Sequence, residues 1–158
     1  MHRWAISLSA AVLAGDLITK HFIEATLVNN ARDIAVTPFF NLALGYNRGV
    51  SFGLLKSDSF YAPYILAAIA VVIAVGLTVW LFRSESDVQK LGLAAIVGGA
   101  VGNAVDRLKD GAVTDFLDFY VGTYHWPAFN VADVAIVCGV TALLIEAKRE
   151  RSNVETSD

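Results

Sequence analysis

The chain has 158 residues, of which 56% are hydrophobic and 17% charged, with a mean hydropathy of +0.56 and a formal net charge of −3. A soluble domain carries about 25% charged residues, and a chain this short has too much surface for its volume to bury so much apolar side chain. The excess must face lipid, which excludes a disordered chain, a coiled coil and an ordinary cytosolic enzyme, and the acidic balance argues against a nucleic-acid binder.

The first membrane span is expected at about residues 4–23 and contains Asp16 and Lys20. It has a rival reading. Met1-His-Arg followed by an apolar run ending Val12-Leu13-Ala14-Gly15 also fits a signal peptide, with Asp16 standing where the cysteine of a lipobox would be. Against cleavage, the apolar run resumes after Asp16 and reaches the ~20 residues that a span needs. Next, Ile34–Tyr46 has strand character: Phe40, Leu42 and Leu44 alternate with Asn41, Ala43 and Gly45. Tyr46–Gly49 reads as a turn and Val50–Phe52 as a returning strand. The second span, about 61–82, carries no charge. The third, about 91–105, is rich in Gly and Ala. Ala112–Val121 is a third strand candidate, followed by a turn-like Gly122–Pro127. The fourth span, about 128–145, carries Asp133 about five residues inside it, and the polar tail 150–158 is expected to be disordered.

The fold class that follows is a mostly α membrane protein: a four-transmembrane-helix bundle with a small extracytoplasmic β-sheet, forming one domain over residues 1–158. Lys and Arg are divided almost evenly between the two sides, and the Lys148–Arg151 cluster places both termini in the cytoplasm.

Alternating spans bring the end of the first, the end of the third and the start of the fourth to one membrane face. Asp16 and Lys20, then Asn103, Asp106 and Arg107, then Asn130 and Asp133 therefore gather at the outer boundary. Ionisable residues inside spans are expensive and usually mark function, although helix capping and interfacial anchoring remain open readings for Asp106 and Arg107. Gly98 and Gly102, with Ala95, Gly99 and Asn103 beside them, form small-residue rows that let helices approach closely in lipid. Asp16 and Lys20 share a helix face in the favourable acid-before-base order.

No Ser–His or Cys–His pattern, zinc spacing or phosphate-binding loop stands out, and the single cysteine, Cys138, reads as a packing residue. Carboxylates remain. The Gly122–Pro127 turn can fold the segment back so that Asp115 meets Asp133. On a strand, Asp118 would point away from Asp115. Two carboxylates in contact cannot both ionise cheaply, so one keeps a proton. Such a pair can activate water with one member and protonate a carbonyl with the other.

Five ordered motifs make the chain recognisable: Asp16-Leu-Ile-Thr-Lys20; Tyr46-Asn47-Arg48-Gly49-Val-Ser-Phe52-Gly53; Gly98-Gly99-Ala-Val-Gly102-Asn103-Ala-Val-Asp106-Arg107; Val113-Thr-Asp115-Phe116; and Phe129-Asn130-Val-Ala-Asp133. With these the sequence closely resembles the lipoprotein signal peptidases, the bacterial type II signal peptidase family, over nearly its whole length. The resemblance implies an aspartic endopeptidase of the cytoplasmic (inner) membrane, with its site at the extracytoplasmic face. Such enzymes cut a prolipoprotein just before its diacylglyceryl-modified cysteine. It also implies that Asp115 and Asp133 are the catalytic dyad, and that Asn47, Arg48, Gly49, Asn103, Asp106, Arg107 and Asn130 line or brace the site, with Asp16 and Lys20 in support. No metal or other cofactor is implied; membrane lipid surrounds the site and the cyclic peptide globomycin is the expected inhibitor. Two rivals from other classes are a metal-dependent lipid phosphotransferase using Asp115-x-x-Asp118 and a non-enzymatic channel or scaffold oligomerising through Gly98-x-x-x-Gly102.

Overall fold

The computed structural model describes residues 3–30, 33–49 and 60–155. Among these residues four helices, α1 (Arg3–Asn30), α2 (Ala62–Arg83), α3 (Asp87–Asp110) and α4 (Val131–Glu155), carry a four-stranded antiparallel sheet at one end. Its strands are β1 (Ile34–Thr37), β2 (Phe40–Asn47), β3 (Val113–Val121) and β4 (Tyr124–His125), in the order β1-β2-β3-β4. α1, α2 and α3 are each long and apolar enough to cross a membrane. α4 packs beside them, but Asp133 and Glu146 bracket an apolar stretch shorter than the ~20 residues of a full span. Ile65, Ile69, Val72, Ile73 and Val75 of α2 are exposed, as a lipid-facing surface requires.

α3 is the hub and packs against α1, α2 and α4. Its small residues explain how. A Cβ at Gly98 would lie 2.6 Å from the Ser9 carbonyl oxygen of α1, and one at Gly99 would lie 2.5 Å from the Ala132 carbonyl oxygen of α4. A Cβ at Gly102 would lie 2.5 Å from Asp16 Oδ2. The two small-residue rows thus face two different helices, and Ser9 Oγ adds a 2.9 Å hydrogen bond to the Ala94 carbonyl. Gly99→Ala is therefore expected to lower stability by ~1–3 kcal/mol, the usual cost of overpacking, because the clash is with backbone; thermal unfolding in detergent measures it.

Two apolar clusters fix the ends. Ala5, Leu81, Leu93 and Ala94, with Leu8, Leu77 and Leu143, join all four helices at the end away from the sheet. Ile23, Leu27 and Phe116, with Leu42, Leu44 and Val131, seat the sheet on α1 and on the start of α4. α3 begins at Ser86, whose hydroxyl accepts from Gln89 N–H, and ends at Gly111. There φ of +69° turns the chain directly into β3, a left-handed conformation that glycine adopts without a Cβ clash.

Most element types agree with the expectations, but Tyr124–His125, expected within a turn, form β4, and several boundaries differ. α1 runs to Asn30, well past residue 23. The single strand expected at 34–46 is a hairpin, because Pro38 sits in the turn and has no N–H to give a ladder. The strand expected at 50–52 lies outside the described residues. The fourth helix begins at Val131, not 128, since Phe129 is bridged to Leu117 of β3. Asp133 is thus in the first helical turn instead of five residues deep. The tail expected to be disordered from residue 150 continues α4 to Glu155, with no Gly or Pro to stop it and Ser152 Oγ bonded back to the Lys148 carbonyl.

Candidate active site

The site is built in two layers where α1, α3, β3 and the start of α4 meet. The inner layer is a buried ion cluster. Lys20 Nζ lies 2.7 Å from Asp16 Oδ2 and 2.8 Å from Asp106 Oδ2, with side-chain exposures of 3%, 0% and 8%. It also donates to Asn103 Oδ1 at 3.0 Å. One ammonium for two carboxylates would leave an uncompensated buried charge, but backbone donors complete the shell. Asp16 Oδ1 accepts from Ala132 N–H at 2.9 Å, and Asp106 Oδ2 accepts from Thr114 N–H at 3.2 Å. Each carboxylate paired with Lys20 therefore grips the residue immediately before one of the two expected dyad aspartates: Ala132 before Asp133, and Thr114 before Asp115. Glu24 of α1 adds a 2.6 Å bond from Thr114 Oγ1.

The outer layer holds Asp115 and Asp133 among three oriented amides. Asn130 caps α4 and forms a reciprocal box with Asp133. Its Oδ1 accepts from Asp133 N–H at 2.9 Å, and Asp133 Oδ2 accepts from Asn130 N–H at 3.3 Å. Asn130 Nδ2 donates to Asp115 Oδ1 at 2.7 Å and to Asn103 Oδ1 at 3.2 Å. Asn103 Nδ2 donates to Asp133 Oδ1 at 2.8 Å. Asn47 Nδ2 donates to Asp115 Oδ2 at 3.1 Å, its own oxygen being held by Gly49 N–H. Every oxygen of the two carboxyls thus receives one N–H. Asp115, 5% exposed, has its pKa raised to about 6 by burial and then by the charge of Asp133.

Both aspartates line one cavity of about 620 Å³, with Asn47, Asn103 and Arg107 as its polar wall. Trp126, Pro127, Ala128 and Phe129, then Val134, Ile136, Val137 and Cys138 along α4, form an apolar wall. Arg107 reaches over from α3: Nη1 donates to the Asn103 carbonyl at 3.3 Å and Nη2 to the Gly49 carbonyl at 3.1 Å, while Nε is buried without a partner among the described residues. An extended chain bound here would meet two carboxyls, a guanidinium and amides beside an apolar floor.

Nine of the expected site residues converge here, namely Asp16, Lys20, Asn47, Asn103, Asp106, Arg107, Asp115, Asn130 and Asp133, and Gly49 contributes through its backbone. Arg48 is exposed and is not among the residues lining the cavity. Cys138 is exposed on α4 and lines the cavity, instead of packing inside as expected. Asp118, three positions after Asp115 on an observed strand, leaves the opposite face. It has its own partners: Asn41 Nδ2 at 3.3 Å, and His125 Nδ1 at 2.9 Å from either oxygen. His125 in turn stacks on Tyr120 at 5.0 Å. Sequence reasoning missed the wall formed by Trp126–Phe129, whose only signal was an aromatic residue and a proline ahead of a helix.

The chain is similar to known proteins in both sequence and fold. The chain matches the family model described as Signal peptidase (SPase) II over residues 8–149. Proteins named lipoprotein signal peptidase in Francisella tularensis subsp. novicida and Nitrobacter hamburgensis are each 41% identical to it, over 140 and 150 residues. These alignments cover 87% and 92% of this chain, and 86% and 92% of theirs. One from Methylobacterium sp. is 42% identical over 142 residues, covering 89% of this chain and 86% of its own. Two solved structures described as a bacterial membrane enzyme superpose with TM-scores of 0.80 and 0.76 at 28% identity, covering 94% and 93% of this chain and 90% and 97% of theirs.

Proposed function

The chain belongs to the signal peptidase II family, and from that premise we propose that it is an aspartic endopeptidase which removes the signal peptide from prolipoproteins by cutting before the diacylglyceryl-modified cysteine. The observation that carries the reading is the convergence of Asp115 from a strand and Asp133 from a helix start on one cavity, with every carboxyl oxygen held by an oriented N–H. In the mechanism this supports, the ionised member takes a proton from water as the oxygen attacks the scissile carbonyl. The protonated member gives its proton to the carbonyl oxygen. Collapse of the tetrahedral diol then returns a proton to the departing nitrogen. Arg107 and the amides position the peptide, and the apolar wall excludes competing water.

We take the four helices as a four-span, single domain over residues 1–158 in the cytoplasmic (inner) membrane, with both termini cytoplasmic and the sheet outside. The substrate brings its own membrane helix and acyl chains, so a cavity at the sheet end of the bundle lies at the depth of its scissile bond. Membrane lipid surrounds the site, and globomycin is the inhibitor expected to occupy the place of substrate.

The purified protein incubated with a diacylated prolipoprotein is expected to release the signal peptide, and globomycin to block that release. EDTA is expected to change nothing, and Asp118→Asn to keep a large share of the activity, because that side chain turns away from the cavity. Inhibition by EDTA that added magnesium restores, together with loss of activity in Asp118→Asn, would favour the metal-dependent phosphotransferase instead.

A further inference from the structure

We propose that the dyad is asymmetric by construction: Lys20, acting as a positioning residue through the Asn103 amide, holds Asp133 as the ionised, water-activating member and leaves Asp115 to carry the proton. The proposal rests on the aspartic reading above and deepens it. An amide can usually be turned end for end, but here it cannot. Asn103 Oδ1 faces two donors, the Lys20 ammonium at 3.0 Å and Asn130 Nδ2 at 3.2 Å. An ammonium has no acceptor, so the amide nitrogen must face Asp133 Oδ1, which it reaches at 2.8 Å. Asn130 is fixed in the same way, because its oxygen holds Asp133 N–H.

The surroundings of the two aspartates then differ. Asp133 is the third residue of α4, where the positive end of the helix favours an anion. It accepts from an amide polarised by a cation and from a backbone N–H. Asp115 lies on a strand with no such dipole and is the more enclosed of the two. Among the described residues, the charged groups around the pair are Arg107 and Asp106 of α3, Lys20 and Asp16 of α1, and the two aspartates themselves. That is four carboxyls against two cations, so the cluster favours retaining one proton. Burial and the neighbouring charge of Asp133 also raise the pKa of Asp115 to about 6, in the direction of keeping a proton.

Lys20→Met would leave two buried carboxylates and the Asn103 oxygen with no donor from position 20, so the test uses Asn103→Asp, with Lys20→Gln, whose amide still donates, as the second variant. Asn103→Asp has the same shape and keeps an oxygen facing Lys20, and thermal unfolding in detergent checks that it stays folded. It removes the donor to Asp133 and sets an acceptor in its place. The acid limb of the pH profile of kcat/KM is expected to move up by ~1–3 pH units. Lys20→Gln, which can still donate to Asn103 but carries no charge, is expected to move the limb the same way by less. A folded Asn103→Asp whose profile superimposes on that of the parent overturns the proposal, as does a folded Lys20→Gln with an unmoved limb. Activity retained by Asp115→Asn or Asp133→Asn would instead remove the aspartic reading itself, whatever Asn103 does.

Discussion

Asp115→Asn and Asp133→Asn are each expected to lower kcat/KM for prolipoprotein cleavage by ~10²–10⁴-fold, the usual worth of a general acid or base. The amide keeps the volume of the side chain and can neither take the proton of the attacking water nor deliver one to the carbonyl. The double variant should lose little more than either single one, since groups acting as a unit are not additive. A structural cost comes with each change and must be separated from the chemical one. At position 133 an amide oxygen can satisfy Asn103 Nδ2 or Asn130 N–H but not both, so one donor is left facing another donor. At position 115 the conflict is with Asn130 Nδ2 and Asn47 Nδ2. An unsatisfied buried group costs ~1–3 kcal/mol, which thermal unfolding registers while globomycin binding reports whether the cavity survives. If either variant stayed folded and kept more than a few per cent of the parent activity, that aspartate would lose its place in the dyad.

The sequence made the apolar helices legible because each is written in predominantly hydrophobic residues, and the polar convergence legible because alternating helices leave few ends to choose from. The Asp16–Lys20 pair could be read from its spacing alone. Its third member could not: Asp106 comes from another helix, and only packing through Gly102 brings it to the same ammonium. The start of α4 was misplaced although Asn130-x-x-Asp133 carries a capping pattern, because the apolar residues ahead of it looked like helix and are in fact tied to β3. Arg48 is the converse case. It sits inside a motif, and the motif's work in the structure is done by Asn47 and by the backbone of Gly49. Asp118 was correctly turned away from Asp115 by strand alternation, but its histidine partner lies across a hairpin that spacing did not reveal.

Activity is expected to be bell-shaped in pH, and the aspartic reading predicts the side on which each limb arises. Below the acid limb both carboxyls hold protons and no base remains to take one from water. Above the alkaline limb both are ionised and the carbonyl oxygen receives no proton. The alkaline limb of kcat/KM reports the free enzyme, and Asp115, raised to about 6 by burial and by the neighbouring charge of Asp133, places it near pH 6. The sign follows from the cause: burial disfavours the charged form of a carboxyl, so Asp115 keeps its proton to higher pH than a free aspartate. A bound peptide excludes more water from the cavity and strengthens that burial, so the alkaline limb of kcat should lie higher than that of kcat/KM. Because the two groups interact, the limbs belong to the pair and not to single residues. Rate measurements across the acidic and neutral range, in a detergent that keeps the protein folded, would give both limbs. A flat profile, or a rate that only rises with pH through neutrality, would remove the protonated carboxyl from the mechanism.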